Sequence, residues 1–244
     1  DSSASIIALS QGAAFDNFRL TIQNLCDAAR SLGNPAKVLS VGLDFTLEDV
    51  TTRGREWAAG RDSIMHQITD LFADHGLRKP LFTAIFDAGT AEVSDSPILR
   101  AQWDLAWNKG DHDHVFAAPG YMFAQNAFGR ATPDARLQMA EMESCAIEAR
   151  NSDAPWACPV LLLAERENDA KVIRCRGEAM GAFILDKDDP LNAGKACGFR
   201  FEGDENGAKI IDVRIDSKDR NDLLITCDKP PEGADLTLCY ALGH

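Results

Sequence analysis

Gly110-Asp111-His112-Asp113-His114 concentrates acid–base and metal-ligating side chains in five residues. In an extended segment the two imidazoles project to one side and the two carboxylates to the other. Such a set has the chemistry of a metal site or of a displaced base. It precedes the apolar run Val115 to Ala118, however, and therefore lies at the amino end of that strand-like run. A solvated loop is the preferred reading. His66 and His75 fall on or at the end of a helical pattern and read as surface residues, and His244 is terminal. Asp186, Asp188 and Asp189 with Asn192 form an oxygen-rich loop of the kind that holds calcium. Their spacing is not that of an EF-hand and Pro190 interrupts it, so a polar turn is expected. Neither a metal nor a cofactor is expected.

Aromatic side chains are the usual platforms for a sugar ring. Trp57, Trp103, Trp107 and Trp156 are available, but Trp57 and Trp103 occupy apolar positions of helical patterns and are expected in a core. Tyr121, in the turn Pro119-Gly120-Tyr121, is better placed to meet a ligand. The seven cysteines are odd in number and lack CxxC spacing, which fits neither a disulfide framework nor a zinc finger. Cys175, Cys227 and Cys239 lie in apolar, strand-like runs and should behave as small hydrophobes.

The elements that position these groups follow two periods. From Ile6 to Arg150, short apolar runs alternate with amphipathic patterns. Ile6–Leu9, Lys37–Val41, Leu81–Phe86 and Val115–Ala118 read as strands. Phe18, Ile22, Leu25 and Ala29, then Trp57, Ile64, Ile68 and Leu71, recur at helical spacing. Ser96-Pro97 and Thr132-Pro133 open two further helices. This alternation predicts a parallel sheet covered on both faces, whose ligands bind beyond the carboxyl ends of the strands. That rim would comprise Gly42 to Asp49, Asp87 to Val93 and Pro119 to Phe128. After Trp156 the helical patterns stop. Strand-like runs follow, among them Ala182–Leu185, separated by Asn168-Asp169, by a hairpin turn at Gly203–Gly207, and by Lys218-Asp219 and Pro230–Gly233. The net charge of −13, spread along the chain, argues against nucleic acid as a partner. No stretch approaches the length of a membrane span, and the first ten residues do not resemble a signal peptide.

The order of elements resembles the SGNH/GDSL esterases, in particular the branch related to sialate O-acetylesterases and found fused to phage fibre proteins. The resemblance runs through Asn24 to Ala29 and Lys37 to Val41, Ala101 to Ala106, and Ala118-Pro119-Gly120-Tyr121. In the tail it runs through Gly198 to Phe201, Ile211 to Ile215 and Leu238 to Gly243. It implies an α/β fold with a three-layer, flavodoxin-like parallel sheet over residues 1–153, a domain that the family pattern would extend at its amino end, and a small antiparallel β-sandwich-like domain over residues 154–244.

The chain departs from the family pattern at three places that its chemistry needs. The nucleophile block would lie upstream of Ile6, and Ser2, Ser3, Ser5 and Ser10 lack its context. The family's Gln-Gly-Glu-x-Asp position reads Gly42 to Asp49, acidic but without the donors. Its Asp-x-x-His-Leu, which supplies the general base, reads Asp134-Ala135-Arg136-Leu137. Losing one triad member already costs orders of magnitude in rate. The resemblance thus implies a non-catalytic binding or structural module, a fibre or spike component of a phage-like particle. It would bind a cell-surface polysaccharide through Asp44, Glu48 and Tyr121 and contact other particle subunits or further copies of itself. It would fold in the bacterial cytoplasm and end on the particle surface. The alternative is an active carbohydrate O-acetylesterase whose nucleophile lies in an upstream segment.

Overall fold

The computed structural model describes residues 5–43, 52–86, 97–107, 110–126, 131–189 and 192–241. They fall into two compact units that divide between Asp153 and Ala154.

In the first unit, Ile6 opens a helix rather than a strand. Ser5 caps α1 (Ile6–Gln11), its hydroxyl accepting the Ala8 amide at 3.3 Å. A four-residue apolar run cannot by itself distinguish strand from helix, and here the cap decides. A second helix, α2 (Ala13–Ser31), carries Asp16 in its first turn and Arg30 in its last, both favourable to the helix dipole. The strand expected at residues 37–41 is reduced to β1 (Val41–Gly42). Pairing limits it: β1 meets the next strand only at Val41↔Phe82 and Gly42↔Thr83, with one further bond from the Leu43 amide to the Thr83 carbonyl at 2.8 Å.

The remaining elements of this unit are α3 (Gly54–Asp74), β2 (Leu81–Phe86), α4 (Pro97–Trp107), β3 (Asp113–Pro119) and α5 (Pro133–Asn151). The three strands form one parallel sheet in the order β1-β2-β3. Alternation along β2 distributes its side chains. Phe82 joins a core of Ile22, Trp57, Met65, Phe72 and Ile98, whereas the Thr83 hydroxyl donates to Glu143 of α5 at 3.2 Å. Trp57 is therefore a core residue, as its helical position predicts. In α5, Thr132 caps the helix by accepting the Ala135 amide at 3.2 Å, and Pro133 occupies its first turn. Thr132→Ala is expected to cost about 1 kcal/mol in chemical denaturation, with Thr132→Ser close to wild type.

The second unit is antiparallel. Strands β4 (Val160–Arg166), β5 (Val172–Glu178), β7 (Ile210–Ile215) and β8 (Asp222–Cys227) form a four-stranded sheet in the order β4-β5-β8-β7. Strands β6 (Phe199–Glu202) and β9 (Thr237–Tyr240) pair separately. Phe199 packs in one core with Ile173, Cys175, Val213, Leu223 and Ile225, so the two sheets share an apolar interior. Two expectations fail here. Ala182–Leu185 is not a strand; Phe183 instead donates its amide to the Arg220 carbonyl and packs into that core. The Gly203–Gly207 turn does not close a hairpin, because β6 pairs with β9 and β7 with β8. Turn residues announce a reversal of the chain without specifying which strand it will pair with.

Among the described residues no helix is long and apolar enough to cross a membrane.

Candidate functional site

Parallel strands bring their carboxyl ends to one edge, and in this unit that edge carries Gly42-Leu43, Phe86 and Pro119-Gly120-Tyr121. Tyr121 sits on a short 3-10 turn, Gly120–Met122, directly after β3 and is half-buried. It therefore stands where the sequence places it. Asp44 and Glu48 lie outside the described residues. The turn continues through Phe123, which is buried, to an isolated bridge between Gln125 and Ala131. That bridge delivers the chain to the Thr132 cap. The Thr83–Glu143 bond, which sequence patterning misses because the two residues are far apart in the chain, holds α5 against β2.

Among the described residues the chemistry available at this edge is limited. At the start of α5, Ala135 is buried and Leu137 is 67% exposed. The described histidines lie elsewhere. His112 and His114 lead into and begin β3, His66 contacts His112, and His75 closes α3. Of the candidate nucleophiles, Ser5 is the cap of α1, and Ser10 is buried with its hydroxyl donated to the Ile7 carbonyl at 2.9 Å. Ser2 and Ser3 lie outside the described residues. All seven cysteines are free thiols. Burial pushes Cys158 up to about 12 and Cys175 up to about 11, and raises Cys197 and Cys227 as well. Those four are not thiolates at neutral pH. A groove of about 380 Å³ runs beside Val41–Leu43, walled by Leu9, Phe15, Phe18, Leu43, Ile64 and Ile68. Its walls suit an apolar group and offer few donors to a sugar.

The solvated loop expected at Gly110–His114 is not observed at the histidines. His112 is 8% exposed and His114 2%. The reason is tertiary. His114 is already within β3, its ring edge-on to Phe116, and the His112 ring meets Phe82 and His66. Burial, assisted by the neighbouring His66, holds the His112 imidazole below its ordinary range. Asp62, His66 and His112 converge as a potential metal-ligand set, in which His112 comes from 46 or more residues beyond the other two and local spacing does not reveal the grouping. The described residues around Asp186 and Asp189 are a polar turn in which Asp186 accepts the Asp188 amide and Asp189 accepts those of Ala193 and Gly194.

Comparison with solved structures finds a carbohydrate acetylesterase from Xanthomonas citri, with a TM-score of 0.53 at 13% identity. The likeness is one of fold. It covers 82% of this chain and 44% of the esterase, so this chain spans less than half the length of that protein. No protein-family model and no curated protein matches the sequence.

Proposed function

We propose that this chain is a carbohydrate-recognition module on an SGNH-type esterase scaffold, binding its ligand without cleaving it. In this reading the first unit is a three-layer, flavodoxin-like domain and the second a β-sandwich-like appendage. Fold likeness to a carbohydrate acetylesterase supports the choice of scaffold and of ligand class. The observation that carries the non-catalytic reading is at the α5 start, where a Thr132-capped turn presents Leu137 to solvent in place of a base. An exposed leucine neither accepts a proton from a hydroxyl nor orients one. The acidic stretch containing Asp44 and Glu48, together with Tyr121, would supply hydrogen bonds and a stacking face to a polysaccharide. The family resemblance extends this to a fibre or spike component of a phage-like particle, assembled with other subunits or further copies of itself and displayed on the particle surface.

The test pairs an esterase assay with a binding assay on the same preparation. Expected are no turnover of p-nitrophenyl acetate or acetylated glycans above buffer, and retention of at least one polysaccharide on a glycan array. Tyr121→Ala should weaken that binding by about tenfold. The competing reading, an active carbohydrate O-acetylesterase completed by an upstream segment, is favoured by the partial coverage of the esterase neighbour. Robust turnover by the complete gene product, abolished by a single serine substitution, would decide for it. An array with no binding and an assay with no turnover would leave a purely structural protein.

A further inference from the structure

At the amino end of the parallel sheet, opposite the proposed ligand edge, two elements bring three ligating side chains together, one ligand atom of each within 4.8 Å of the others. Asp62 and His66 lie one turn apart on α3, so both side chains emerge on the same face. His112 arrives from the bend that leads into β3. His112 Nε2 is 3.2 Å from His66 Nδ1 and 3.6 Å from Asp62 Oδ1, and His66 Nδ1 is 3.6 Å from Asp62 Oδ2. A carboxylate at 3.6 Å is too distant to hydrogen-bond either ring. Nitrogen and oxygen donors at about 2.0–2.2 Å from a tetrahedral zinc ion are themselves about 3.2–3.6 Å apart. The two ring nitrogens have this spacing while also lying within hydrogen-bond distance. The carboxylate meets each ring through a different oxygen, and one ligand atom from each of the three residues lies within 4.8 Å of the other two, a span that a shared cation can draw together.

From this geometry we infer that Asp62, His66 and His112 form a binding site for a divalent transition-metal ion of the zinc class. Two borderline imidazoles beside one hard carboxylate favour zinc over calcium or magnesium, which take all-oxygen ligand sets. The site is preorganised on one side and open on the other. The His112 side chain is 5% exposed and fixed among the rings of His66 and Phe82, whereas those of Asp62 and His66 are 58% and 57% exposed. Solvent therefore has access to the fourth coordination position. His112 Nδ1 is buried without a hydrogen-bond partner among the described residues. With the proton on Nδ1, the Nε2 lone pair faces Asp62 and His66 and can ligate without a change of tautomer. His66 must change: its Nδ1 faces the Asp62 carbonyl at 2.8 Å, a contact that requires a proton on Nδ1. Metal binding moves that proton to Nε2 of the same exposed ring, so a neutral His66 releases none. The ion would then link α3 to the start of β3.

The full chain, freed of metal by chelation, should bind one Zn²⁺ per molecule in a calorimetric titration. Asp62→Ala and His66→Ala, both substitutions of exposed side chains, should weaken binding by about tenfold or more. His75→Ala, at the end of the same helix, should leave it unchanged. Co²⁺ in place of zinc should give the visible bands of a tetrahedral nitrogen–oxygen site without thiolate-to-metal charge transfer. Equal affinity in wild type and His66→Ala, or a charge-transfer band assigning the ion to the cysteines, would overturn the inference. So would the absence of saturable binding by the wild-type chain. His112→Asn is a secondary variant because the residue is buried, and its circular dichroism must match wild type before its affinity is interpreted.

Discussion

Gly233→Ala is expected to unfold the second unit, with a loss on the order of 4 kcal/mol or more. A methyl group built on Gly233 overlaps the carbonyl oxygen of Gly203, a backbone atom that no rotamer change can remove. Gly203 has no room to yield. It adopts φ +69°, a conformation that suits glycine, and its own Cβ position lies 2.5 Å from the Asp235 carbonyl oxygen. The neighbouring Asp204 carboxylate accepts the amides of Asn206, Ala208 and Glu232, fixing both chain segments from a third direction. This close approach stands next to the Glu202↔Thr237 pair that ends the β6–β9 ladder. Separating the segments would therefore break the smaller sheet. Thermal and urea denaturation of the full chain, followed by near-ultraviolet circular dichroism, provide the readout. Gly181→Ala is the control, since a methyl there meets nothing within 4 Å, and should stay within about 0.5 kcal/mol of wild type. Equal midpoints for the two variants would refute the steric argument.

Arg174→Ala is expected to destabilise the same unit more than any other single charge removal there. One guanidinium, on β5, reaches Glu167 at 2.5 Å, Asp216 at 2.7 Å and Asp222 at 3.0 Å. The side chains of Asp216 and Asp222 are only 7% and 10% exposed, so removing the cation leaves two carboxylates poorly solvated and unpaired. Arg176→Ala is the comparison: its pair with Glu165 is exposed on both sides and is worth about 1 kcal/mol at most. The effect must depend on pH. The hydrogen bond from Arg174 holds the Asp216 carboxyl below its ordinary value of 3.8. A depressed carboxyl contributes stability that is present above the unfolded value and lost as pH falls through the folded one. The gap between wild type and Arg174→Ala should therefore be full at neutral pH and shrink as pH falls below the ordinary value of 3.8. A gap independent of pH across that range would mean that the arginine acts through packing alone.

What could be read in the linear chain was whatever depends on neighbours a few residues away. Thr132-Pro133 announced the start of α5, and the spacing of Trp57, Ile64, Ile68 and Leu71 announced the buried face of α3. The apolar run before Pro119 announced β3, and the Asp186–Asn192 loop announced a polar turn. Each rests on local geometry, such as a cap, a helical repeat or an Asx turn, that the chain satisfies without distant partners. The likeness of fold to a carbohydrate esterase was legible for the same reason, since the order of such elements is a property of the sequence.

Tertiary structure decided the features whose partners are remote. Residues 37–40 could have been strand, but β2 pairs with this segment only from Val41 onward. The glycine-rich turn at residues 203–207 could have closed a hairpin, but β6 found its partner in β9, 35 or more residues later. His112 looked solvated from its own neighbours, Asp111 and Asp113, until Phe82 and α3 covered it. The same packing brought Asp62 and His66 to it and turned an exposed-looking tract into a potential ligand set. Residue types fix which chemistry a chain can perform, and caps and periodicity fix where helices begin. Burial and pairing are sums over contacts distant in sequence, so only the folded chain sets which of those groups meet.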